Sequence, residues 1–102
     1  MVKIQKVLNV TKTIKMVSEN DTYNVEGTVI VDNGKLNYIN NLRVTTKEGR
    51  EVFNGSYRGE NISNANFYGD ADIKNSVIMN EVEKFVKAVK EFDFNNDKNE
   101  EE

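Results

Sequence analysis

The chain has 102 residues, with 17 acidic against 14 basic side chains and a formal net charge of −3. About 100 residues bound it to one domain, and no apolar run approaches the roughly 20 residues of a membrane helix. With no Cys and no His, disulfides, thiol nucleophiles and the commonest zinc ligands and general bases are excluded. The opening residues, Met1 to Lys6, lack the apolar stretch of a signal peptide, so a cytoplasmic bacterial setting is expected. The 16 Asn, with abundant Lys and Ile, match the codons of an AT-rich genome.

In chain order, Lys3–Val10 and Thr11–Val17 both mix β-branched and basic residues and predict one long bent strand or two short ones. Ser18-Glu19-Asn20-Asp21 is a turn cluster. Tyr23, Val25, Gly27, Val29 and Val31 then alternate with Asn24, Glu26, Thr28 and Ile30, the period of a strand with one face inward. Gly27 inside that strand predicts a bulge or a close backbone approach. Asp32-Asn33-Gly34-Lys35 is the strongest hairpin signal, because Asn-Gly accepts the positive φ angles of a type I′ turn. The return strand runs Leu36 to Thr46, with Leu36, Tyr38, Leu42 and Val44 expected inward and a bulge expected at Asn40-Asn41.

Lys47-Glu48-Gly49-Arg50 predicts a second turn, and Glu51 to Tyr57 a further hairpin arm. Residues 58–72 are polar and read as a loop, with room for a short pairing near Phe67 and Tyr68. Asn75 or Ser76 is the expected N-cap of a helix. Its apolar stripe is Ile78, Val82, Phe85, Val89 and Phe92, widened by Val86, and Glu83–Lys87 and Lys87–Glu91 pair on its polar side. The expected fold class is α+β: a small antiparallel β-meander of about four to five strands with one C-terminal amphipathic helix packed on it. Residues 1–94 form the single domain, and 95–102 a disordered acidic tail.

Charge is uneven along the chain. Residues 91–102 hold six acids and one base, whereas the other 90 residues hold 13 bases and 11 acids, so a mildly basic body carries an acidic tail. Lys3, Lys6, Lys12 and Lys15 lie in an N-terminal stretch without acids, and Arg43, Lys47, Arg50 and Arg58 lie on or between later strands. Clustered cations suit phosphates, because neutralising them releases counterions. Tyr38, Phe53 and Tyr57 nearby could stack on unpaired bases. The nucleic-acid-binding set expected from the sequence is therefore Arg43, Lys47, Arg50, Arg58 and Tyr57. Asp70 and Asp72 lack the further ligands of a calcium loop, and the glycines form no phosphate-cradling pattern. No metal, cofactor or catalytic residue is expected, and no enzyme activity.

Two stretches carry a family resemblance. Thr28-Val29-Ile30-Val31-Asp32, then Leu36 to Val44 ending Asn41-Leu42-Arg43-Val44, is similar to a strand–Asp–turn–strand unit closing on Ile-Arg-Val. Asp72-Ile73-Lys74-Asn75-Ser76 is similar to a Pro-Ile-Asn-Ser start of a helix. Both, in this order, resemble the stage V sporulation protein G family, although this chain has no Pro. The resemblance implies a homodimer joined at sheet edges, DNA or RNA binding in gene regulation, and a role for Arg43 in it. Two functions are thus expected as alternatives. One is a non-enzymatic nucleic-acid-binding (RNA or DNA) regulator acting through a basic sheet surface. The other is a phage or mobile-element protein that inhibits a host protein, in the manner of anti-CRISPR and anti-defence proteins, through an exposed strand edge or acidic mimicry.

Overall fold

A computed structural model describes residues 11–94. The strand expected at Lys3–Val10 and the tail expected at 95–102 lie outside them. Among the described residues, five antiparallel strands follow one another in a meander: β1 (Thr11–Glu19), β2 (Tyr23–Asp32), β3 (Lys35–Thr46), β4 (Glu51–Arg58) and β5 (Asn61–Phe67). One helix, α1 (Asn75–Glu91), packs across β2, β3 and β4 on a single face of the sheet. The expected α+β architecture holds.

The alternation in β2 sets the two faces. Tyr23, Val25, Gly27, Val29 and Val31 are buried under the helix, and the intervening side chains are half-exposed on the other face. Gly27 is a point of close approach, because a Cβ there would sit 2.6 Å from Ile39 Cγ2 and 3.5 Å from Phe85 Cε2. The helix meets this face with Ile78, Val82, Phe85, Val86 and Val89. Phe92 leaves the helical path with extended dihedrals and is 39% exposed, whereas Phe94 is buried. The last apolar contact of the helix is thus made two residues later than its periodicity predicts.

The turns show which side chains hold them. Asn33 and Gly34 both have positive φ (53° and 81°), as the Asn-Gly hairpin requires. Between β1 and β2, Asn20 Oδ1 accepts from the backbone N–H groups of Thr22 and Tyr23, each at 2.8 Å. Asn20 Nδ2 donates to Glu81 of the helix at 2.8 Å, which ties that turn to α1.

Three expectations change. The segment read as a loop contains β5, entered through a two-residue turn in which Gly59 and Glu60 both have positive φ. Only Ile62 and Phe67 of β5 pack against the core, so its sequence shows little apolar alternation. The helix has Lys74 as N-cap without a side-chain bond, and neither Asn75 nor Ser76 caps it. Asp70 orders the approach instead, its Oδ1 accepting from Asp72 N (2.9 Å) and Ile73 N (3.0 Å).

The third change concerns β3. Asn41 (φ 52°) bulges as expected, but an extra residue also stands between the pairs Ile30↔Tyr38 and Val31↔Leu36. The inward set becomes Leu36, Ile39, Leu42 and Val44, and Tyr38 moves to the open face.

Candidate nucleic-acid interface

The face opposite the helix is open and polar. A row of contacts crosses it through all five strands. Lys15 Nζ of β1 lies 3.2 Å from Glu26 of β2. Glu26 lies 3.9 Å from Arg43 Nη1 of β3, and Arg43 Nε donates to Glu51 Oε1 of β4 at 2.6 Å. Asn54 Nδ2 donates to Glu51 Oε2 (3.0 Å), and Asn66 Nδ2 of β5 donates to Asn54 Oδ1 (2.9 Å). Cations and carboxylates alternate along this row, so it has no net charge. The hydrogen bonds from Asn54 and then Arg43 hold the Glu51 carboxyl below the ordinary carboxylate range, against a smaller opposing effect of burial.

The five residues expected to bind nucleic acid do not form one cluster. Arg43 is in the row, between Glu26 and Glu51. Lys47 donates to Asn24 Oδ1 at 2.9 Å and reaches Glu19 at 3.5 Å. Arg50 turns toward the segment before the helix, where Nη1 binds Asp70 Oδ2 (2.8 Å) and Nη2 binds the Tyr68 carbonyl (2.7 Å). That bond from Arg50, followed by the two backbone N–H groups, lowers the Asp70 pKa. Asp70 therefore serves as an ion-pair and turn residue. Among the described residues, no group of three or more His, Cys, Asp or Glu could hold a metal.

Arg58 differs from the other three cations. Its guanidinium carbon sits 4.1 Å from the centre of the Tyr38 ring, and no carboxylate pairs with it among the described residues. The pair stands on the open face, where Tyr38 and Arg58 are cross-strand partners in β3 and β4. Tyr57 has to be withdrawn from the set. It pairs with Ile39, points to the helix side and is 7% exposed, because neighbours in a strand face opposite ways. Its place as the accessible aromatic passes to Tyr38. Phe53 is likewise fully buried, edge-on to Phe67.

Beside the row lies a depression of about 510 Å³ lined by Asn40, Asn41, Arg43, Glu51, Asn54, Gly55, Ser56, Asn64 and Asn66. Sequence reasoning missed this grouping, because the abundance of Asn has a sufficient cause in codon usage. The available signal was placement: Asn41 and Asn64 both take positive φ (52° and 53°) on the strands flanking β4. Asn tolerates that conformation better than most residues.

Among the described residues, no helix is long and apolar enough to cross a membrane. Comparison with protein-family models, curated proteins and solved structures gave no match to this chain.

Proposed function

We propose that this chain is a non-enzymatic nucleic-acid-binding regulatory protein that takes single strands on the open face of its sheet. The observation that carries this reading is the Arg58 guanidinium stacked over Tyr38 on the face the helix leaves uncovered. A guanidinium over an aromatic ring on an uncovered face offers a base a platform for stacking and cation–π contact. Base–aromatic stacking is worth about 1–3 kcal/mol per base. Bases are free to stack in this way in a single strand and not in a duplex. Arg43, Lys47 and Arg50 already face carboxylates, so phosphate contacts contribute less and binding weakens only gently with salt.

The test is fluorescence anisotropy with labelled single strands and the matching duplex. Single strands should bind more tightly, and Tyr38→Ala should weaken them on the order of tenfold. Absence of binding at low salt, or equal binding of the duplex with no effect of Tyr38→Ala, would count against it.

A second reading, inhibition of a host protein by a phage or mobile-element product, has its support in β1. That strand pairs only with β2 among the described residues and leaves Val17 61% exposed. An unpaired edge can accept a strand from another chain. The same edge would serve the homodimer implied by the family resemblance. Host proteins retained on the immobilised chain after nuclease treatment, and lost on Val17→Lys, would favour this reading.

A further inference from the structure

We infer that the Asn-lined depression on the open face selects an unpaired purine base, an inference that rests on the nucleic-acid reading above. Half of the depression is fixed. Arg43 Nε and Asn54 Nδ2 donate to the two oxygens of Glu51, and Asn66 Nδ2 donates to both Asn54 Oδ1 and the Asn64 carbonyl. These side chains hold one another and make a wall that need not reorganise when a ligand arrives.

The other half is unspent. The side-chain amides of Asn40, Asn41 and Asn64 make no hydrogen bond among the described residues. Arg43 keeps guanidinium N–H groups to spare, since Glu26 stands 3.9 Å from Nη1. Arg43 and Glu51 cancel in charge, so the lining does not attract an ionised ligand. It suits a neutral, planar group with a donor–acceptor edge. Amides and guanidinium groups are the side chains that pair bidentately with purines, Asn with adenine N6/N7 and Arg with guanine O6/N7.

Placement supports the same conclusion. Asn40 is two residues from Tyr38 on β3, and Ser56 is two residues from Arg58 on β4. Same-face neighbours in a strand are roughly 7 Å apart. A base stacked at Tyr38–Arg58 therefore leaves an adjacent base at the depression.

The experiment is anisotropy with labelled A-rich, G-rich, C-rich and T-rich single strands of one length. The proteins are the full chain, Tyr38→Ala, and the double variant Asn40→Ala with Asn64→Gly, in which Gly keeps the positive φ at 64. The full chain should prefer purine strands on the order of tenfold. The double variant should lose that preference while keeping its affinity for T-rich strands, and Tyr38→Ala should weaken all four alike. Asn40→Asp gives a second check, since a carboxylate accepts from cytosine N4 and should turn the preference toward the C-rich strand. Equal binding of all four by the full chain, or a purine preference undiminished in the double variant, overturns the inference and leaves the nucleic-acid reading standing. Absence of binding to every strand overturns both.

Discussion

The two faces of this sheet are built from the same strands and obey different rules. On the covered face, Val29, Ile39, Leu42, Val44, Val52 and Phe53 have no exposed surface and pack beneath Ile78 and Val82 of the helix. On the open face, Lys15, Glu26, Arg43, Glu51, Asn54 and Asn66 hold one another through directional polar contacts. The covered face is held by burial, at roughly 25 cal/mol per Å² of apolar surface. Exposed ion pairs contribute about 0–1 kcal/mol each. The difference teaches where to look for each property. Stability belongs to the residues facing the helix, whereas the open face can change its chemistry at little cost to the fold.

The largest expected effect comes from the covered face. Phe53→Ala should cost about 3–5 kcal/mol in urea unfolding, because a fully buried ring is replaced by a cavity. Tyr38→Ala, a strand away on the open face, should cost about 1 kcal/mol or less, the value of an exposed cation–π contact. Comparable losses for the two variants would break the distinction between the faces.

Next in size is Gly27→Ala. The new methyl would press on Ile39 Cγ2, which cannot retreat inside a close-packed core, so a loss of about 1–3 kcal/mol is expected. Thr28→Ala, the next residue on the opposite face, should stay within about 0.5 kcal/mol. Thermal unfolding of the two variants side by side measures the contrast.

Smaller still is Arg43→Ala, which removes the centre of the polar row. Because the pair is partly exposed, about 1 kcal/mol or less should be lost, and 1 M salt should shrink the difference from the unsubstituted chain. A loss of several kcal/mol would mean that the row behaves as a buried network.

The smallest effect is the pH dependence of two carboxylates. Glu51 and Asp70 both have lowered pKa values in the folded state. A carboxylate with a depressed folded pKa adds stability above its unfolded pKa. That stability fades as the pH falls from the ordinary carboxylate range through the lower folded value. Glu51→Gln and Asp70→Asn should each lower stability slightly at neutral pH and flatten the acid limb, so that each variant converges with the unsubstituted chain at low pH. An unchanged acid limb in both variants would contradict the assignment of those hydrogen bonds.

Much of the covered face is legible in the sequence. The alternation from Tyr23 to Val31, the Asn33-Gly34 turn, the Asn41 bulge and the stripe from Ile78 to Val89 each follow from a period or a required φ. The open face was harder to read. A second extra residue in β3 exchanges Tyr38 for Ile39, and nothing in Leu36-Asn37-Tyr38 marks where it falls. β5 hides because this edge strand packs only Ile62 and Phe67 against the core, both partly buried, and fills its other positions with Asn, Ser and Ala. The cations were visible as residues, but their carboxylate partners come from other strands, as with Glu26 and Glu51 around Arg43. Charge counted along the sequence therefore overstated how basic the sheet surface is.

The central claim is that the open face binds single strands by stacking at Tyr38 and Arg58 more than by neutralising phosphates. Anisotropy of one labelled T-rich single strand across a salt series, for the unsubstituted chain, Tyr38→Ala and Arg43→Ala with Arg50→Ala, tests it most directly. The account predicts a shallow salt slope, a loss on the order of tenfold for Tyr38→Ala at every salt concentration, and a small loss for the double variant. A steep slope that the double variant abolishes, with Tyr38→Ala binding as the unsubstituted chain does, would contradict it.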